Sequence, residues 1–268
     1  MAAMGAGPDR PWLSAAFGGG GPFGIAYALG VVDALVNAGV PLRDADLIGT
    51  SAGAWAAACL ASGVDYRRLC DVPQIRVPDP SRDLLHGIAT DVFGDASSPR
   101  VTGCAVQLPR SRRMFLSGAD HGLADIVAAS SAVPALFRPV RLGRAWYVDG
   151  GVRSLVSADH ARPARHLLVV APIAGPMFGR AGRAMELMLR NELRRWQQDT
   201  GGKAHLVRPN AQIAALARHP LQLFDKARAV AAYPLAYAQT RRLLAERPGL
   251  AGLVKPETVP PGDLAKAG

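Results

Sequence analysis

Two kinds of apolar run alternate along this chain. Short, nearly continuous apolar stretches occur at residues 12–17, 46–48, 145–148, 166–171 and 204–207. Runs of that length without polar alternation predict strands buried on both faces. Between them lie longer segments in which apolar residues return every three or four positions. Ile25, Leu29, Val32 and Leu35 predict a helix over 21–38. Further helices are predicted at 52–62 and 123–129. Residues 181–198 predict an amphipathic helix, with Met185, Met188, Leu189, Leu193 and Trp196 on one face and Arg183, Arg190, Arg194 and Arg195 among its basic residues. Residues 101–108 and 113–117 predict two strands joined by a basic turn. A last helix is expected over 223–245, broken before Pro234. Residues 63–100, rich in Pro and Asp, give no period.

Strands alternating with helices predict an α/β fold: a three-layer αβα sandwich around a mainly parallel central sheet. With 268 residues and 49% hydrophobic composition, the chain can bury a sizeable core. The expected organisation is a loose leader at 1–11, one domain at 12–247, and a loose tail at 248–268, where Pro and Gly are frequent and periodicity is lost.

The net charge is +10, and the excess lies entirely after residue 150. A one-sided basic excess suits contact with an anionic surface, equally with plain solvation. No platform of interleaved basic and aromatic residues points to nucleic acid. Three irregularly spaced cysteines, Cys59, Cys70 and Cys104, give neither a disulfide framework nor a metal-ligand pattern, so a reducing, cytoplasmic setting is expected. The first residues lack the charged-then-apolar signature of a signal peptide. No stretch approaches the ~20 apolar residues needed to span a bilayer. Membrane contact, if any, is expected to be peripheral.

Three segments carry chemistry. Gly49-Thr50-Ser51-Ala52-Gly53 follows a short strand and opens a helix, the context of a nucleophile elbow. The turn is so tight that the positions two before and two after Ser51 must be small, as Gly49 and Gly53 are. The rival reading is an ordinary Gly-rich turn. Gly18-Gly19-Gly20-Gly21-Pro22-Phe23-Gly24 also joins a strand to a helix, and its amides can converge on an oxyanion. Alone it slightly favours nucleotide binding, because Gly19, Gly21 and Gly24 match G-x-G-x-x-G and Asp44 or Asp46 lies at the spacing of a ribose ligand. The elbow that follows tips the reading to ester chemistry. Asp149-Gly150-Gly151 ends an apolar strand, where α/β folds place their sites; Asp-Gly is also ordinary turn chemistry.

Together with Ala129-Ser130-Ser131-Ala132-Val133-Pro134, these segments resemble, in order, the sequence blocks of the patatin-like phospholipase family. The resemblance spans residues 18–151 and implies Ser51 as nucleophile and Asp149 as sole general base, with no catalytic histidine. It implies Gly19, Gly20 and Gly21 as the oxyanion loop, closed by Gly24, and neither cofactor nor metal. The implied substrates are acyl esters of glycerolipids, cleaved through an acyl-enzyme. One position departs from the pattern: the family usually carries Arg or Lys where Phe23 stands. Two alternatives stay open on the residues alone. One is a Ser-His-Asp esterase using His205 or His219. The other is a non-enzymatic nucleotide-binding protein using the Gly-rich loop.

Overall fold

The computed structural model describes residues 10–255. In chain order it contains β1 (Leu13–Phe17), α1 (Gly21–Val36), β2 (Asp46–Thr50), α2 (Ala52–Ser62), α3 (Tyr66–Cys70), α4 (Leu84–Phe93), β3 (Val101–Leu108) and β4 (Arg112–Ser117). There follow α5 (Leu123–Ser131), β5 (Val140–Leu142), β6 (Ala145–Asp149), β7 (His166–Val170), α6 (Arg180–Thr200), β8 (Lys203–Val207), α7 (Ala211–Ala214), α8 (Lys226–Glu246) and α9 (Pro248–Ala251).

The sheet has eight strands in the order β5-β6-β3-β2-β1-β7-β8, with β4 added on β3. Strands β3, β2, β1, β7 and β8 run parallel, whereas β4, β5 and β6 pair antiparallel. Continuous burial of the central strands comes from helices on both faces, because successive side chains point to opposite sides. Ala15, Phe17, Leu47, Leu168 and Val170 face one way and pack with α1, α2 and α8. Ala16, Ile48, Leu167 and Val169 face the other way and meet Leu189, Leu193 and Trp196 of α6. This is the three-layer α/β arrangement expected from the strand–helix alternation.

Three expectations need correction. Met188, assigned to the apolar face of α6, is 66% exposed. The buried stripe instead takes in Glu186, which can lie there because Arg190 and Arg208 both pair with it. The last helix is not broken before Pro234: α8 runs through it, packed so closely on α1 that a Cβ on Gly30 would lie 2.4 Å from the Tyr233 carbonyl oxygen. Such packing outweighs the one intrahelical hydrogen bond that proline forgoes. Finally, the supposed tail begins as structure. Leu250 and Leu253 are buried, and the Trp12 indole donates to the Leu253 carbonyl at 2.8 Å. Residues 1–9 of the expected leader and 256–268 of the expected tail lie outside the described residues.

Candidate active site

The register of one strand brings the site together. β4 covers residues 102–107 of β3 on one edge, so β2 and β6 must share the other. They approach along it from opposite directions. Thr50 ends β2 opposite Cys104, and Asp149 ends β6 opposite Ala105, the very next residue. Adjacent strand residues rise only about 3.3 Å, so Ser51 and Asp149 emerge side by side although 98 positions apart. The close approach requires glycine next to Asp149: a Cβ on Gly150 would lie 2.3 Å from the Cys104 carbonyl oxygen.

Ser51 sits at the strand-to-helix turn with φ 55° and ψ −122°, a conformation rarely adopted by residues other than glycine. The neighbouring glycines permit that turn. A Cβ on Gly49 would fall 2.3 Å from the Gly53 carbonyl oxygen, and one on Gly53 only 1.9 Å from that of Phe17. The turn presents the Ser51 hydroxyl to Asp149, near enough to favour the charged form of the carboxyl.

The Asp149 carboxylate is 4% exposed and also accepts the Gly151 amide at 2.6 Å. Burial pushes its pKa up to about 6, against the pull of the neighbouring Ser51 hydroxyl and the Gly151 amide, which favour the charged form. The carboxylate is thus largely ionised at neutral pH and still basic enough to take a proton.

The Gly-rich loop runs alongside, Gly19 lying so near that a Cβ there would be 3.4 Å from Ser51 Cβ. One expectation about it changes. The Gly19 amide donates to the Leu155 carbonyl at 2.9 Å, so it is already engaged. Among the described residues, the amides of Gly20 and Gly21 have no backbone acceptor, and that of Ala52 at the start of α2 likewise has none. The Ser51 amide is also taken, by Ser130 Oγ at 2.9 Å. Gly24 closes the loop, its amide bonding the Gly20 carbonyl at 2.8 Å. Phe23, where the resemblance departs, lies on α1 with its side chain fully buried in the core.

Ser51 and Asp149 line a cavity of about 470 Å³ whose other walls are mostly apolar, including Leu85, Ile88, Leu136, Phe137, Leu223 and Phe224. One wall is the segment after α3. Gln74 ties it to the start of α8 by bonds to the Phe224 carbonyl (2.6 Å) and the Lys226 amide (2.7 Å), and Lys226 Nζ reaches the Val72 carbonyl at 2.9 Å. Val152 and Val230 line the cavity and are 54% and 46% exposed, which places them at its mouth. Among the described residues, no histidine lines it. His205 instead meets His166 at 3.1 Å. The nucleotide alternative also loses a ligand, since Asp46 is turned to Arg162. No cluster of three or more potential metal ligands occurs among the described residues, and no helix there is long and apolar enough to cross a membrane.

The cavity walls contributed by residues 66–75 and 220–230 belong to segments that are aperiodic or lie at a helix edge, and they meet only in the fold. The sequence did single out the 129–134 block, but not what that block touches.

A patatin-like phospholipase family model matches residues 15–113 and 106–162, more than half of the chain. The chain belongs to the patatin-like phospholipase family, and in general terms it is therefore a lipid acyl hydrolase. Among solved structures it is similar to VipD from Legionella pneumophila, at 16% identity and a TM-score of 0.43, over 90% of this chain and 67% of that one. No curated protein matches it.

Proposed function

We propose that this protein is a serine hydrolase of fatty-acyl esters, of the phospholipase A, lysophospholipase or esterase type, working through a Ser51–Asp149 dyad. The observation that carries the proposal is the strand register that sets the strained Ser51 beside a buried carboxylate of raised pKa, at the wall of an apolar cavity. Asp149 accepts the Ser51 proton as Oγ attacks the ester carbonyl. The tetrahedral oxyanion is received by the free amides of Gly20 and Gly21, with that of Ala52 at the positive end of α2. A donor of this kind supplies roughly 3–4 kcal/mol in comparable sites. The acyl-enzyme forms as the alcohol departs with the proton. Water, deprotonated by Asp149, then releases the fatty acid and restores the serine. The apolar walls suit an acyl chain, and the chemistry calls for no cofactor.

Residues 12–247 act as the catalytic unit in this reading, with 248–254 packed against it. A reducing, cytoplasmic setting belongs to the proposal, with Cys59, Cys70 and Cys104 all unpaired. So does peripheral contact with an anionic membrane through the mouth, where exposed Val152 and Val230 stand with Lys226 in the basic half of the chain. The test is turnover of p-nitrophenyl esters and phospholipids by wild type, Ser51→Ala and Asp149→Asn. Both variants should be folded and inactive; full activity in Asp149→Asn rejects the dyad.

A further inference from the structure

The end of α5 touches both members of the dyad through their main chains. Ser130 is fully buried. Its hydroxyl accepts from the Ser51 amide at 2.9 Å and donates to the Cys104 carbonyl at 2.6 Å. Two residues on, the Ala132 carbonyl accepts the Asp149 amide at 2.9 Å. Cys104 and Ala105 are the β3 residues opposite Thr50 and Asp149. One three-residue segment therefore ties down the peptides carrying the hydroxyl and the carboxylate, together with the strand against which they meet.

The local sequence explains why the segment is free to do so. Pro134 disfavours helical geometry at the residue before it and cannot continue the hydrogen-bond ladder. The helix accordingly ends at Ser131, and Ala132 turns out of it at φ −75°, ψ 70°. Its carbonyl is left without a helical partner and is available to Asp149. Ser130 in turn supplies what the elbow lacks. The Ser51 amide lies in a buried, left-handed turn with no backbone acceptor, and a buried amide left unpaired is costly. A side chain with both an acceptor lone pair and a donor hydrogen suits the gap between that amide and the Cys104 carbonyl.

We propose that Ser130 is a positioning residue of the reaction: with the Ala132 carbonyl it forms a bracket that sets the Ser51 hydroxyl against the Asp149 carboxylate. This rests on the dyad reading above. Ser130 touches no reacting atom; it acts through the Ser51 peptide. Removing its hydroxyl frees the elbow to relax from its strained dihedral angles, carrying Oγ away from Asp149. A displacement on the order of 1 Å is enough to slow a positioned reaction about 100-fold.

The experiment compares wild type with Ser130→Ala, Ser51→Ala, Asp149→Asn and Ser14→Ala, using soluble p-nitrophenyl butyrate across pH. Ser14→Ala is the control for deleting a buried hydroxyl elsewhere: Ser14 Oγ bonds the Arg162 carbonyl at 2.9 Å, away from the site. Ser130→Ala is expected to lose kcat by about 10- to 100-fold, with KM changed less than about twofold. Its acid limb should also move to higher pH, because Asp149 loses the nearby Ser51 hydroxyl that favours its charged form. Ser14→Ala should melt earlier but keep the wild-type kcat and acid limb. If Ser130→Ala does not fold, Ser130→Cys, with a longer and weaker sulfur hydrogen bond, should show the same fall and the same shift. Wild-type kcat with an unmoved acid limb in the folded Ser130 variant, while Ser51→Ala is inactive, overturns the bracket. Full activity in Ser51→Ala overturns the dyad itself, and the bracket with it.

Discussion

The proposed dyad has its sharpest quantitative consequence at Asp149, where one buried carboxyl would govern both rate and stability. Its pKa of about 6 in the folded protein compares with about 3.9 for an unperturbed aspartate. Only the ionised form can take the Ser51 proton, so kcat/KM should be flat above pH 7 and fall below about pH 6. At pH 5 it should be about tenfold below the plateau. The stability consequence has the opposite sense. A carboxyl whose pKa is raised on folding binds more protons in the folded state than in the unfolded state. It therefore lowers stability as pH rises from about 4 to about 6, and the deficit persists above that. Two pH units correspond to about 3 kcal/mol. Asp149→Asn removes the ionisation and keeps an oxygen acceptor for the Gly151 amide. At pH 8 the variant should melt about 5–10 °C higher than wild type, by the scaling for chains of this size, while being inactive. At pH 4, where the wild-type group is protonated as well, the two melting points should converge. Differential scanning calorimetry of both proteins at the two pH values, alongside the pH–rate profile, makes the check. An acid limb near pH 4, or an Asp149→Asn variant less stable than wild type at pH 8, refutes the reasoning.

Other consequences follow from the same geometry. Gly53→Ala places a methyl group 1.9 Å from the Phe17 carbonyl oxygen, and should destabilise the fold by about 3 kcal/mol, read as a drop in denaturation midpoint. Gly20 has φ 152°, and a Cβ there would crowd Gly24 Cα at 3.0 Å, so Gly20→Ala should displace the free amides and lower kcat by about 100-fold in a protein that still shows native circular dichroism. Leu85 is buried at the cavity wall. Leu85→Phe should cut kcat/KM for p-nitrophenyl palmitate by at least about tenfold relative to the butyrate ester, measured side by side. Val152→Glu with Val230→Glu should weaken co-sedimentation with phosphatidylglycerol vesicles and leave butyrate turnover within about twofold; unchanged sedimentation would remove the mouth as the membrane contact.

The sequence carried a good deal of this architecture because the relevant signals are local. The strands β1, β2, β6 and β7 are short apolar runs bounded by glycine or polar residues, and α2 begins at the residue after Ser51, as an elbow demands. What stayed hidden depends on contacts between distant segments. The glycine loop looks like three equivalent amides in one dimension. Only the approach of Leu155 shows that Gly19 is already occupied. The unbroken α8 is legible neither from Pro234 nor from propensity, because the decisive term is its packing on Gly30 of α1. Glu186 reads as a solvated charge until Arg208, from beyond β8, is seen to cover it. The 129–134 block was visible as a pattern, yet its hydrogen bonds to Ser51 and Asp149 arise from a strand register that no local window contains.

The central claim is that Ser51 Oγ is a nucleophile made reactive by Asp149, and covalent labelling reads this without any choice of natural substrate. A fluorophosphonate should react at pH 8 with one residue, which peptide mass spectrometry would identify as Ser51. Labelling should vanish in Ser51→Ala and slow by at least about 100-fold in Asp149→Asn. Labelling of Asp149→Asn at the wild-type rate, or an adduct on another residue, would contradict the account.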